Sequence, residues 1–416
     1  MRDVRMRGFR SRSSVEEALS ILEARVSALE AERVPISEAA GRVVAEDIVA
    51  TVSVPHFVRA AMDGYAVAGE STFGASPYAP VELSLVGEAR PGRRHDGVVQ
   101  KGEAVRITTG APVPDGTDAV LMAENAEEIE REGIKLVRVR EAVAPGKHVG
   151  QIGEDVESGS VVVTRGRRLR PQDVGVLASV GAGEVRVIRR PLVKLVVTGD
   201  ELLLPGSAPK DSSIVDSNSL VLAALVRRDG GVLRATEHVP DKHDAVRAAI
   251  EAAPDDVVLV SGGSSVGPED HAPSVLAEIG ELAVHGVAMR PSSPAGFGFF
   301  GHEERRKLAV LLPGNPVSCL CAYDFFAGPA IRALGGLPRS WPYPRRVCRA
   351  GAKFVSELGR VDYVRVRVDG DQVFPIMTSG ASILSSTTRA EGVVIIPSGD
   401  EGYAEGEPVE VLLYDV

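Results

Sequence analysis

Cysteine is scarce: Cys319, Cys321 and Cys348 are the only thiols in 416 residues. Their number is odd, and the C-x-C pair has neither a second pair nor a histidine cluster at zinc spacing, which argues against a disulfide framework and a zinc module. Reduced thiols in a cytosolic setting are the simplest reading. Positions two apart on a helix face different ways, so Cys319 and Cys321 do not clasp a metal together and read as small buried thiols. Long hydrophobic runs are also missing, and none approaches the roughly 18 residues that a membrane span needs. The basic start MRDVRMRGFRSRSS is not followed by an apolar segment, so it reads as a disordered tail on a soluble chain without a secretory signal. An excess of positive charge is lacking as well. The net charge of −10 disfavours non-specific nucleic-acid binding, which depends on many Lys and Arg neutralising phosphates. Any anionic ligand must therefore be held by a local site.

What is present fits several domains, since single cores rarely grow past roughly 250–300 residues. From Ser14, SVEEALSILEARVSAL spaces its apolar residues as a helix does, with Ser14 as cap and Glu17 as its capping-box partner. From about Val81 to Val143, short β-rich runs such as VELSLVG and IKLVRVR, broken by Gly, Pro and Asp, suggest a small all-β module. A second helix is expected from Pro171, and residues 145–188 are read as completing a split domain that residues 10–50 begin, with 51–144 inserted. Residues 189–336 alternate strands (PLVKLVVTG, DVVLVSGG, KLAVLLPG) with helical segments (SLVLAALVRR, DAVRAAIEAA), the pattern of a mostly parallel sheet covered on both faces. After the proline-rich LPRSWPYP, residues 337–416 return to short strands and suggest a small β-barrel. The fold class is α/β plus β, multidomain.

In an open α/β sheet, ligands bind outside the carboxyl ends of the strands. Three loops fall at that edge: VVTGDELL, VLVSGGSSVGPED and VLLPGNPVSCL. Each joins glycine, which lets backbone approach a ligand, to hydroxyl or amide side chains, and two open towards helix N-termini that favour anions. In the third, Asn315 is a candidate N-cap and Pro316 a first helical residue. Ordinary turn and cap chemistry accounts for any one of these loops, whereas three together favour a phosphate or nucleotide site. SGGSS matches neither the dinucleotide fingerprint nor the P-loop. Asp200, Glu201, Asp216, Asp241 and Asp270 lie near these loops, and several carboxylates beside a phosphate call for a divalent cation such as Mg²⁺ between them. The alternative for Asp216 and Asp241 is helix capping.

PHFVRAAMDGYAV, ITTGAPVPDGTDAVLMAE, GEDV, VVTGDELLLPG, IVDSNSLVLAALV, SGGSSVGPEDH, MRPSSPAGFG, LPGNPVS and SGASILSS follow one another in this chain. In that order they resemble the MoeA and gephyrin E-domain family of molybdopterin molybdenumtransferases, over nearly the whole length. The resemblance implies an L-shaped, four-domain homodimer with a MogA-like α/β third domain and an active cleft shared between subunits. It also implies the reaction: molybdate is inserted into adenylylated molybdopterin in a Mg²⁺-dependent step that releases AMP, the substrate being supplied by a molybdopterin adenylyltransferase. By resemblance Asp63, Glu201, Asp241 and Asp270 are the catalytic acids, with Glu201 and Asp270 as metal ligands. Asp63 would face the substrate, with Met62 and Tyr65 as an apolar floor and Gly64 allowing the turn; its alternative is a turn aspartate bonding its own backbone. Thr109 matches the family's MTG motif, and Asp216, Ser217 and Asn218 match a segment near the nucleotide. The glycine-rich loops contribute Ser261, Gly262, Gly263, Ser264, Pro313, Gly314, Asn315 and Pro316. Arg290, Ser293, Pro294, Ser318, Arg365 and Ser382 would line a molybdate pocket, where hydroxyl and guanidinium donors suit a small oxyanion.

Some positions depart from the family. KPGKP has become RPSSP, so Arg290 keeps one charge and Ser293 loses another; Gly150 replaces the arginine of R-x-x-G-E-D, and Gly286 a further basic residue. Each lost charge-assisted bond is worth about 1.5–3 kcal/mol, and His148 or Arg389 are candidates to compensate. Two other readings stay open: a family member recruited as a gephyrin-type protein-binding scaffold, and an enzyme preferring tungstate.

Overall fold

The computed structural model describes residues 12–265, 270–302, 306–377 and 380–414, so the expected tail at 1–11 and the middle of the SGGSSVGPED loop lie outside the described residues. The chain divides into two compact units, one built from 33–40 and 44–186, the other from the remaining segments.

The smaller unit is organised on a six-stranded sheet in the spatial order Ala119–Met122, Gly64–Val67, Glu103–Ile107, Val81–Ala89, Ile134–Val139, Ala126–Arg131. Only the pairing of Val81–Ala89 with Glu103–Ile107 is parallel. Alternate side chains go to opposite faces of a strand, and the two faces collect separate apolar groups, around Val105 and Ile107 on one side and Leu83 and Leu121 on the other. The helix Pro171–Ser179 begins where its proline predicts.

In the larger unit, Leu192–Thr198, Val232–Val239, Val257–Ser261 and Lys307–Leu312 form the parallel part of a second six-stranded sheet. Gly296–Phe300 and Gly280–His285 complete it as an antiparallel edge. The nearly unbroken Val/Leu runs of the inner strands follow from burial on both faces: Val193, Leu195 and Val197 point into one apolar cluster, and Val196 and Val260 into the other. The first helix, Val15–Arg25, has the expected Ser14 cap, whose Oγ accepts the Glu17 N–H at 3.0 Å. Its stripe of Val15, Ala18 and Leu22 is buried in the α/β core, not with residues 145–188.

The expectation that no segment reaches membrane-spanning length needs a correction. Pro316–Leu334 is a continuous helical run of 19 residues with mean hydropathy 1.2, and 94% of it is buried inside the protein. A helix that is apolar all round belongs in the interior of a large domain, and this one supplies the centre of the core. Its register is widened by one π turn at Tyr323–Ala327, beside the aromatic cluster described below.

The C-terminal strands close into a barrel. Val361–Asp369, Gln372–Met377, Arg345–Ala350, Pro408–Leu413 and Gly392–Ile396 pair in that order, and the last pairs back to the first. Each strand of the ring is paired on both sides, and Met289–Arg290, from the α/β segment of the sequence, lies parallel to Val361–Asp362 as an added strand.

Candidate functional site

The carboxyl ends of the parallel strands carry a cavity of about 760 Å³. Of the residues expected from the sequence, it is lined by Glu201, Asp216, Ser217, Asn218, Asp241, Ser261, Gly262, Gly263, Ser264, Asp270, Pro294, Pro313, Gly314, Asn315, Pro316 and Ser382. Arg290, Ser293, Ser318 and Arg365 do not line it, and Asp63 and Thr109 belong to the other unit.

The cavity's walls are held by side chains that have little freedom left for a ligand. Asn218 donates to the Ser261 Oγ at 3.1 Å and to the Gly314 carbonyl at 2.8 Å, tying three loops together. Gly262, at φ +96°, brings its backbone so close to strand Leu192–Thr198 that a Cβ would stand 2.3 Å from the Thr198 carbonyl oxygen. Asp216 is buried; one carboxylate oxygen accepts the Ser219 N–H at 3.0 Å, inside the helix start that the sequence suggested, and the other pairs with His238 Nε2 at 2.9 Å. Asp241 caps no helix, because Lys242 holds that position; its carboxylate instead accepts the Thr198 hydroxyl and the Asp200 N–H. Thr198 and His238 were passed over in the sequence, although each ends or nearly ends a strand at the ligand edge. Asn315 is the N-cap and Pro316 the first residue of the helix behind LPGN, as expected.

The acids thus separate into two kinds. Asp216 and Asp241 are engaged in holding loops, whereas Glu201 is exposed and, among the described residues, no hydrogen bond or ion pair engages its carboxylate. No group of three metal-ligating side chains occurs among the described residues. Mg²⁺ is commonly held by one or two carboxylates and completes its shell with water and phosphate oxygens. Glu201 and Asp270, both on the cavity wall, are hard oxygen donors of that type.

The expected oxyanion residues have other contacts. Arg290 forms a fork with the buried Asp362 of the barrel, its Nε at 3.0 Å, and Ser356 donates to the same carboxylate at 2.8 Å. Arg365 is wholly buried and donates to the Ser386 Oγ at 2.9 Å and the Gly380 carbonyl at 3.3 Å. The Ser293 Oγ is buried and has no hydrogen-bond partner among the described residues. Cys319 and Cys321 are buried as expected, and burial pushes both thiols upward in pKa, Cys319 to about 12.

In the smaller unit, Asp63 Oδ1 accepts the Thr109 N–H at 2.6 Å and the Thr109 hydroxyl at 3.0 Å. It bonds a segment 46 residues away and not its own turn. Gly64 makes the presentation possible, since at φ +155° a Cβ there would meet the Leu121 carbonyl oxygen at 1.9 Å. Tyr65 is buried, its hydroxyl on Glu128, but Met62 is 44% exposed, so no apolar floor forms from the pair. The two Thr109 hydrogen bonds, backbone first, hold the exposed Asp63 carboxyl below its usual range. Thr109→Val removes the hydroxyl donor and should raise the Asp63 pKa towards an ordinary aspartate value, read by carbon NMR titration; an unchanged midpoint would show that the hydroxyl plays no part.

Comparison with known proteins covers the chain almost end to end. Residues 13–181 match the MoeA N-terminal region (domain I and II), 194–333 a probable molybdopterin binding domain, and 348–414 the MoeA C-terminal region (domain IV). Molybdopterin molybdenumtransferase 2 of Mycobacterium tuberculosis is 33% identical over 410 residues, 96% of this chain and 98% of that protein. The molybdopterin molybdenumtransferase of Staphylococcus aureus is 29% identical over 96% of this chain and 95% of its own. A crystal structure of the molybdopterin biosynthesis MoeA protein from Pyrococcus horikosii superposes with a TM-score of 0.82 at 35% identity, covering 98% of this chain and all of that one.

Proposed function

The chain belongs to the MoeA family of molybdenum cofactor biosynthesis transferases, and from that premise we propose that it is a molybdopterin molybdenumtransferase acting on adenylylated molybdopterin and molybdate. The observation that carries this reading is the cavity at the strand ends, where two helix starts and an unengaged carboxylate, Glu201, share one wall.

The starts of the helices at Asn218 and Pro316 border the cavity with the positive ends of their dipoles, and the glycine loop 262–263 lets the ligand approach backbone. Glu201 and Asp270 would hold Mg²⁺, which would supply positive charge beside the phosphates of the substrate. Asp241 fixes the Thr198–Glu201 turn, so from the cavity wall it would position Glu201. Ser382 and Pro294 line the cavity, and Ser293, next in sequence to Pro294 and behind the lining, carries a hydroxyl of the kind that a small oxyanion needs. Arg290, already paired with Asp362, would act there as part of a neutral pair. Asp63, kept ionised by Thr109, is the acid of the smaller unit. The four-domain division, the homodimer with a shared cleft, a molybdopterin adenylyltransferase as supplier and a cytoplasmic location are proposed on the family resemblance.

Purified protein given adenylylated molybdopterin and Mg²⁺ should release AMP faster when molybdate is added. A folded protein that releases none under any condition overturns the transferase reading.

A further inference from the structure

Gly150 stands where the resembling family pattern has an arginine, and the two candidates for replacing that charge each have a backbone contact. His148 Nδ1 lies 3.0 Å from the Val120 carbonyl, and Arg389 Nε donates to the Ser385 carbonyl at 3.3 Å. Arg59 is a different case. Its strand, Arg59–Ala60, pairs antiparallel with Val149–Gly150, and the register sets Arg59 directly opposite Gly150. A Cβ built on Gly150 would come within 3.2 Å of Arg59 Cγ and 3.3 Å of its Nε, and within 2.7 Å of Glu154 Oε2. Gly150 is not among the glycines with positive φ, so its backbone does not demand glycine. The missing side chain therefore serves space: the Arg59 stem and guanidinium lie across the position that a side chain at 150 would fill.

Arg59 is exposed, and among the described residues no hydrogen bond or ion pair engages its guanidinium, although Glu154 borders the same space at Gly150. Its segment is also the one that presents Asp63. Gly110 donates to the Ala60 carbonyl at 2.8 Å, Ala61 to the His148 carbonyl at 2.9 Å, and Thr109 to the Asp63 carboxylate, so residues 59–63, 109–111 and 148–150 form one hydrogen-bonded platform. An unengaged guanidinium on the same platform as Asp63 suits the planar, bidentate recognition of phosphate.

We infer that Arg59 is the phosphate-binding cation of the Asp63 platform, taking over across the strand pair the charge that position 150 lacks, with Gly150 as the seat that admits it. This rests on the transferase reading, so wild-type turnover and equilibrium binding of adenylylated molybdopterin are measured together. Arg59→Gln should raise KM and the dissociation constant about tenfold while kcat changes far less, as expected for a lost charge-assisted contact at an exposed site. The relocated pair Arg59→Asn with Gly150→Arg should recover most of that loss. Unchanged KM and binding in Arg59→Gln, its fold verified by circular dichroism, overturn the assignment, as does a wild type that does not bind the substrate. A wild type that binds without turnover defeats the transferase reading alone, and the binding comparison still decides Arg59.

Discussion

Asp229→Ala is expected to destabilise the larger unit by about 3–5 kcal/mol, the range for removing one partner of a buried ion pair. Asp229 is 1% exposed, and its carboxylate accepts from Arg332 Nη1 at 2.7 Å, from Arg228 Nη2 at 3.1 Å and from the Tyr323 hydroxyl at 3.0 Å. Arg332, 5% exposed, would be left with only the Pro338 and Arg339 carbonyls, which do not neutralise it. The network continues through Arg228 and the Tyr343 hydroxyl to Asp324, which Tyr363 also contacts, so the end of one α/β helix, the π turn and the barrel share one set of buried hydrogen bonds. Burial raises the Asp324 carboxyl to about 6 in spite of Arg228. Trp341, the sole tryptophan, packs edge-on to Phe325 at 4.9 Å and beside Tyr343 and Tyr363, and so reports on this region. A fluorescence unfolding midpoint within error of wild type would refute the claim. Adding Arg332→Met should regain part of the loss, because it removes the unpaired charge.

Glu201→Gln should reduce molybdate-dependent AMP release by about 100-fold or more, since outer partners of metal ligands alone typically cost 10–100-fold. The variant should also need more Mg²⁺ for half-maximal rate, a shift that a purely structural role would not produce. Stability should barely change, because Glu201 is exposed and no hydrogen bond or ion pair among the described residues depends on its carboxylate. Asp241→Asn provides the contrast: it loosens the Thr198–Glu201 turn and should lower the rate less steeply, with little change in Mg²⁺ requirement. Activity of Glu201→Gln within threefold of wild type would remove Glu201 from the site.

Much of this architecture was legible because it rests on short-range rules. The Ser14 cap, the helix opening at Pro171 and the strand-and-helix alternation after residue 191 depend on spacing over a few residues, and the strand-end rule then located the cavity loops. What escaped depends on partners far apart in the chain. Asp229 and Asp324 look like ordinary charges at a helix end and beside aromatics until Arg332, Tyr343 and Tyr363 are brought to them. Met289–Arg290 read as part of the α/β segment, yet they pair with a barrel strand and commit Arg290 to Asp362. Arg59 passed unnoticed because its meaning depends on a glycine 91 positions later, across a two-residue strand pair that periodicity does not reveal. The helix Pro316–Leu334 was underestimated because Asp324 and Arg332 interrupt its apolar text, and only their burial in one network makes the run continuous.

Closure of the barrel depends on one strand. Pro408–Leu413 pairs with Arg345–Ala350 on one side and Gly392–Ile396 on the other, and it brings Val409 and Val411 into the barrel interior. A ribosome that stops or shifts frame before these six residues releases a chain whose other barrel strands are present but whose ring is open. Two strand edges and an unfilled apolar interior would then face solvent together, the combination that invites edge-to-edge aggregation and proteolysis. The closing strand therefore distinguishes whole from broken rings, and chains that lack it should be cleared as whole molecules instead of persisting as partly working ones.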